Sequence, residues 1–488
     1  MTRDYSYTSN SYNALMRCPA SLGSKTNIAK PHLDRWIYLK DAIEEWLYND
    51  ALDETSINQA RSKYANDLDP VQTKICDDLF ETFRAIYPKT VGMSMSREYP
   101  PLPRSEARDL SEDEKIILSS WVQFEVDYGD KRETIKLRTG KEAMDNLDLA
   151  ILALQKDTNE TNIEINLTRG TVEELPLIDG ASEILNDSFE QVQKYLNLKK
   201  KETIPGKHCN LCDRPSICGQ YREIDGKKIS NKDRSLYLTK TDLMKLETCS
   251  RQAAWKFLYG IPRDVNEEEV IPNYGDIFHA YTQKIINEFD NPLSSMGVNK
   301  FSEIISEESE EIKVKLLETY SSLVEQMSSY NNVQLKATEF PLGFTILSNP
   351  PQRKTEDETF DKNIAVTFMG IADIVGRINN NTPVVVELKT GKERAIHQHE
   401  ASLYALGASQ ATNEKEVVVL HVYMRPGSSK ITERLYREKE LNKAKEYFVT
   451  KSMEISNWDQ KDTLSPSYNP GSWCEYCSYE TRCLDSRK

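Results

Sequence analysis

Glu387-Leu388-Lys389 closes a β-branched run, Pro383-Val384-Val385-Val386, and follows an acidic residue, Asp373, set among apolar neighbours. Strand alternation turns Glu387 and Lys389 to one face. Two carboxylates on neighbouring strands offer hard oxygen ligands for Mg²⁺ or Mn²⁺, and the adjacent lysine adds a positive charge. That combination suits attack on a phosphodiester, where negative charge builds on phosphate oxygens. Upstream, His279 lies on or beside the apolar face of a helix opening near Tyr274; read alone, it is more ordinary as a core residue than as a ligand. Downstream, a helix from Arg394 sets Glu400 and Tyr404 one turn apart on one face.

Nine cysteines supply a second chemistry. Cys209-Asn-Leu-Cys212 running on to Cys218 and Cys474-Glu-Tyr-Cys477 running on to Cys483 share the spacing C-x2-C-x5-C. Each triplet has a fourth candidate far upstream: Cys18 in Ser11-x3-Leu15-x2-Cys18, and Cys249 in Asp242-x3-Leu246-x2-Cys249. Ser11 and Asp242 read as helix N-caps, which puts each lone cysteine one to two turns into a helix. Soft thiolate quartets select zinc or an iron–sulfur cluster, and this spacing serves both. Cys76 is left over and reads as a buried apolar residue.

The repeated spacing sets the units that must position these groups: residues 5–222, a polar linker at 223–235, and residues 236–488. Two such units suit a chain of 488 residues. In the second, a helix from Tyr274, a short strand at 337–342, strands bracketing Asp373, the strand ending in Lys389 and the helix carrying Glu400 read as an α/β sheet flanked by helices. The Glu-rich stretch 302–327 reads as a solvated helix face. With 38% hydrophobic and 29% charged residues, the composition is that of a soluble folded protein. A net charge of −14 excludes a grip on nucleic acid through bulk basicity, so any phosphate contact must be a local patch. The basic runs at 198–201 and 226–228 read as solvated turns. No apolar signal segment or membrane span is found, so a cytoplasmic location without membrane contact is expected, where clustered cysteines point to metal or redox work.

Taken in order, Gly275-x3-His279, Asp373, Glu387-Leu388-Lys389, His397-x2-Glu400-x3-Tyr404 and a cysteine answered by a terminal C-x2-C-x5-C resemble the RecB-like branch of the PD-(D/E)XK nucleases. Its iron–sulfur members, the CRISPR-associated RecB-like exonucleases and the AddB nuclease domain, are the nearest in pattern. The resemblance covers nearly all of 236–488. It implies a restriction-endonuclease-like fold and a [4Fe-4S] cluster on Cys249, Cys474, Cys477 and Cys483, with zinc as the alternative. It also implies Mg²⁺ or Mn²⁺ held by His279, Asp373, Glu387 and the Leu388 carbonyl, with Lys389 in the catalytic role beside Glu400 and Tyr404. Where the family carries glutamine this chain has Glu400, which adds negative charge near the expected DNA path; Gln398 is two positions out of register.

Aligned on Cys18, Cys209, Cys212 and Cys218, the first unit echoes the second. Residues 98–101 parallel 339–342, Asp148 followed by Glu164-Ile165-Asn166 parallels Asp373 followed by Glu387-Leu388-Lys389, and Gln191-x3-Tyr195 keeps the helix motif. Asn166 at the lysine position marks a degenerate site, with Arg169 as a substitute cation. The expected fold is therefore two tandem PD-(D/E)XK folds, each a mixed central sheet flanked by helices and closed by a four-cysteine cluster. The expected activity is a metal-dependent DNA nuclease, an exonuclease on single-stranded or frayed ends in repair, recombination or CRISPR-type processing. No G-x4-G-K-[ST] occurs, so unwinding falls to a separate helicase or recombination/CRISPR partner. Neither G-x-S-x-G nor H-E-x-x-H is present. The rival readings are an inactive iron–sulfur DNA-binding scaffold working with a helicase or nuclease partner, and a cluster protein in redox signalling.

Overall fold

A computed structural model describes residues 3–485 apart from 22–26, 29–30, 49–53, 90–93, 96–103, 141–142, 199–202, 207, 210–211, 213, 231–232, 264–273, 331–332, 349–362, 379–380, 390, 426–427 and 460. The segments at 98–101 and 199–201 thus lie outside the described residues. The described chain is a mixed α/β molecule with three sheets. Among the described residues, no helix is long and apolar enough to cross a membrane.

The first half runs β1 (Arg3–Thr8), α1 (Ser9–Arg17), β2 (Asn27–Ile28), α2 (Pro31–Tyr48), α3 (Glu54–Ala65), α4 (Pro70–Ile86), β3 (Ser94–Met95), β4 (Arg104–Ser111) and β5 (Glu114–Ser120). It continues with β6 (Phe124–Asp127), β7 (Arg132–Arg138), α5 (Asn146–Leu154), β8 (Glu160–Asn166), β9 (Thr171–Glu174) and α6 (Ala181–Leu196). β5 pairs parallel with β1 and antiparallel with β4. β6 to β9 form a second ladder in which β7 and β8 are parallel. Leu15, Ile151 and Phe189 of α1, α5 and α6 pack on β5, while Trp46, Phe80 and Phe83 of α2 and α4 pack on β6 to β8.

Much the same order returns in β10 (Arg234–Thr239), α7 (Lys240–Thr248), α8 (Ser250–Phe257), α9 (Tyr274–Glu288), α10 (Ser295–Ile304), α11 (Glu310–Met327), β11 (Gln334–Ser348) and β12 (Ile364–Ile378). Then follow β13 (Thr382–Lys389), α12 (His397–Thr412), β14 (Val417–Arg425), β15 (Ser428–Tyr436), α13 (Glu438–Ser456) and α14 (Glu480–Asp485). The sheet order is β15-β14-β13-β12-β10-β2, with β11 also paired to β12. α7, α8, α12 and α13 cover one face through Leu246, Trp255, Tyr404 and Phe448; α9 to α11 cover the other through Phe278, Phe301 and Tyr320. Burial on both faces explains the unbroken valine run of β13: Val385 joins one core, Val384 and Val386 the other.

Several local expectations need correction. The strand expected at 337–342 is the middle of β11, and Asp373 lies inside one strand rather than between two; both strands are long because they pair with each other from Gln334 to Ser348. The N-caps are Thr8 and Thr239, where β1 and β10 end in extended geometry, and Ser11 and Asp242 close the capping boxes from the third helical position. Cys18 and Cys249 are consequently C-caps, with nearly equal φ/ψ of −152°/113° and −155°/111°, rather than residues inside the helices. Residues 223–235 are not a free linker: Thr345 bonds through its backbone to Arg222 and Ile224, and Ile229 packs on Leu347 and Ala365.

Candidate active site

Asp373 sits where β12 changes neighbours. β10 pairs with β12 as far as Thr239 opposite Met369, and β13 pairs with it only from Val386 opposite Ile374. Lys240 and Glu387, the next residues along β10 and β13, therefore flank the opening beside Asp373. Alternation along β13 and the placement of α12 bring Lys389 Nζ 3.0 Å from Glu387 Oε1 and 2.9 Å from Glu400 Oε1. Lys240 Nζ, at the start of α7, pairs with the same Glu387 oxygen and lies 3.1 Å from Glu400 Oε1. On the other side His279 Nδ1 of α9 is 3.3 Å from Asp373 Oδ1, and the Leu388 N–H donates to Asp373 Oδ2 at 2.7 Å. Tyr404, one turn past Glu400, donates its hydroxyl to the Ile371 carbonyl at 2.7 Å.

Burial and charge set these groups apart. Burial raises the Glu387 carboxyl to about 7, with Asp373 adding to the rise and the two lysines opposing it. Burial acts the same way on Asp373, yet the hydrogen bond and charge of His279 outweigh it and hold that carboxyl low. Glu400 is held well below the usual range: burial is overcome by His421 and the two lysines. Glu387 Oε2 is buried and has no hydrogen-bond partner. A buried anionic acceptor left without a donor, beside Asp373, fits a hard divalent ion. Among the described residues, no three His, Cys, Asp or Glu side chains are grouped as a ready single-ion site; the two lysines stand between the carboxylates.

A model of the PD-(D/E)XK nuclease superfamily matches residues 237–484, half of the sequence. The chain belongs to the PD-(D/E)XK nuclease superfamily. No curated protein matches it. Among solved structures, one titled "Crystal structure of SSO0001" is similar to 53% of this chain and 88% of its own, at 13% identity and a TM-score of 0.21.

Two residues of this PD-(D/E)XK site, Lys240 and His421, are absent from the sequence reading. Lys240 carries no motif, and its signal was its place one residue beyond a capping threonine. His421 Nε2 is 3.3 Å from Glu400 Oε2 and its Nδ1 is 3.1 Å from Arg434. His397 Nδ1 accepts the Arg394 N–H and lies 2.7 Å from the Tyr423 hydroxyl, so this motif histidine supports the helix start and does not reach the carboxylates. Gln398 points to solvent.

The first half is arranged differently from the alignment on cysteines. Asp148 lies on helix α5, where it accepts from Ser9 Oγ at 2.9 Å and pairs with Lys136 at 2.8 Å. Glu164 pairs with Arg138 at 3.1 Å, and Asn166 donates to the Gly140 carbonyl at 2.8 Å. Gln191 is exposed on α6 and Tyr195 is half-buried there. Strand register matches other residues to the second half. Leu137 N–H donates to Gln123 Oε1 at 2.7 Å, as Leu388 N–H does to Asp373, and Lys136 and Arg138 flank that leucine as Glu387 and Lys389 flank Leu388.

Each cysteine quartet lines one small cavity of about 30 Å³: Cys18, Cys209, Cys212 and Cys218 in one, Cys249, Cys474, Cys477 and Cys483 in the other. Donors face the sulfurs, with Ile204, Arg214 and Gln220 N–H groups on Cys18, Cys212 and Cys218, and Gln252 Nε2 on Cys477, all at 3.3–3.4 Å. The four sulfurs of each set thus share a cavity and meet N–H donors, but among the described residues they are not drawn together into a ready metal site. Cys76 is fully buried in the α2–α4 core, where burial pushes its thiol up to about 12.

Proposed function

We propose that this PD-(D/E)XK chain is a Mg²⁺- or Mn²⁺-dependent DNA nuclease of the RecB-like branch, an exonuclease acting on single-stranded or frayed ends. The observation that carries the reading is the cluster of Asp373, Lys389 and the buried Glu387, with Glu387 Oε2 left open. His279, Asp373, Glu387 and the Leu388 carbonyl would hold the metal, which when bound supplies Lewis acidity to a phosphodiester oxygen. Lys389, fixed by Glu387 and Glu400, presents its ammonium to the phosphate. His279 and the Leu388 N–H keep Asp373 ionised and oriented, and Tyr404 walls the site against α12. Hydrolysis adds water across one P–O bond, leaving a phosphate on one fragment and a hydroxyl on the other.

The chain is further read as a tandem duplication with boundaries near 5–222 and 236–488. Supporting it are the matched strand–cap–helix–cysteine starts, the parallel β1–β5 and β10–β12 pairs, and the shared leucine N–H bond to Gln123 or Asp373. In the first copy Lys136 occupies the glutamate position, so that copy would bind or guide DNA without a metal. Each quartet would hold a [4Fe-4S] cluster, with zinc as the alternative. A separate helicase or a recombination/CRISPR partner would supply the opened end.

The test is cleavage of end-labelled single-stranded DNA by anaerobically purified protein with Mg²⁺ or Mn²⁺, beside Lys389→Ala and with iron and sulfide assayed. Loss of at least about 100-fold in the variant is expected for a group acting on developing charge. DNA that binds but is not cut by the wild type would replace this reading with the scaffold one.

A further inference from the structure

Lys240 has no part in the motifs, yet it meets both buried glutamates. Its ammonium, at the first position of α7, pairs with Glu387 Oε1, lies 3.1 Å from Glu400 Oε1 and sits 5.5 Å from the centre of the Tyr404 ring. Lys389 touches the same two oxygens. Two ammonium groups and two carboxylates therefore close a ring of zero net charge. Glu387 and Glu400 are each about 1% exposed, so neither can shed an unmatched charge to water.

The first half offers an independent comparison. Ser9 follows its capping threonine as Lys240 follows Thr239, and Ser9 donates to Asp148 while Lys136 pairs with it. There one carboxylate meets one lysine, and the post-cap position is neutral. In the second half two carboxylates meet two lysines, and the post-cap position is charged. The post-cap residue is thus a lysine where it meets two carboxylates and a serine where it meets one.

We propose that Lys240 is a positioning residue paired with Glu400, and that this pair sets the net charge with which Asp373 and Glu387 receive the divalent metal. The inference rests on the nuclease reading for the identity of the metal site, but the pairing itself is readable without cleavage. Lys240→Met leaves one negative charge too many and Glu400→Gln one positive charge too many. The double variant Lys240→Met/Glu400→Gln returns the ring to balance.

Mn²⁺ titration by calorimetry and thermal melting in EDTA test this on the full chain. Both single variants should melt below wild type, and they should shift Mn²⁺ affinity in opposite directions by about tenfold, tighter for Lys240→Met and weaker for Glu400→Gln, the scale of coupling between touching charges. The double variant should recover most of both losses, and Lys240→Arg should behave close to wild type. A salt bridge with only a structural role would lower melting without moving Mn²⁺ affinity in opposite directions. Melting losses of the two single changes that simply add in the double variant, or Mn²⁺ affinities that both move the same way, would overturn the proposal. If the pair couples in melting and Mn²⁺ binding but the wild type does not cut DNA, the nuclease reading fails and the charge pairing stands.

Discussion

Three buried side chains around Glu400 show how single residues divide the work of the site. Glu400 takes two lysines on one oxygen and His421 on the other, so this buried carboxylate has partners on both oxygens. His421 and His397 stack at 5.6 Å between ring centres. Burial lowers His397 to about 4, outweighing the pull of Glu400, and burial also lowers His421. The unfolded chain binds the His397 proton at about 6.5, so between that pH and about 4 it binds more protons than the native state, and His421 adds to the difference in the same direction. Stability is therefore whole above about pH 6.5 and is lost as the pH falls toward 4. Urea midpoints measured across this window should decline on the acid side, and His397→Gln should flatten part of that decline; an unchanged slope would remove His397 from the account.

At the scale of elements, the site depends on how closely α12 rests on β11. Gly407 of α12 meets Gly343 of β11, and a Cβ at 407 would come 2.7 Å from the Gly343 nitrogen and 3.0 Å from Leu342 Cβ. Backbone cannot yield as a side-chain tip can. Gly407→Ala should lift the helix from the sheet, costing about 1–3 kcal/mol as overpacking does, and should loosen Glu400 and Tyr404 together. A lowered melting temperature with a matching loss of Mn²⁺ affinity is the expected result. Unchanged stability would mean that the helix shifts along the sheet at little cost.

For the whole molecule, the two halves share structure. Val71 and Ile75 of α4 belong to the core beneath α7 and α8, and β2 extends the second sheet beside β10. Asp69 accepts from Thr463 Oγ1 at 2.8 Å, and Arg35 donates to the Gly260 carbonyl at 2.8 Å. A fragment of residues 236–488 would expose the seats of two apolar side chains, each worth about 1.5–3 kcal/mol of burial, and would lack the two β10 residues, Arg234 and Ser235, that pair with β2. It should melt below the full chain, which should unfold in one transition by circular dichroism and tryptophan fluorescence. A fragment as stable as the full chain would show that these contacts are incidental.

How much was legible in advance follows from which interactions are local. The valine run, the Glu-x-Lys pair on one strand face and the Glu400–Tyr404 turn were readable because strand and helix periods fix which neighbours share a face. The cysteine spacing was readable because it repeats. The caps at Thr8 and Thr239 were missed by three residues, since a cap is decided by where the preceding strand stops pairing. The pairing of Lys240 with Glu387 and Glu400 spans 147 and 160 positions in sequence, and no local pattern records it. Asp148 is placed in the same way: it lies on helix α5 and meets Ser9 and Lys136, partners that no local pattern names. The acidic residues, the lysine and the thiols are written along the chain, but which of them meet depends on strand pairing, which joins residues that chain distance keeps apart.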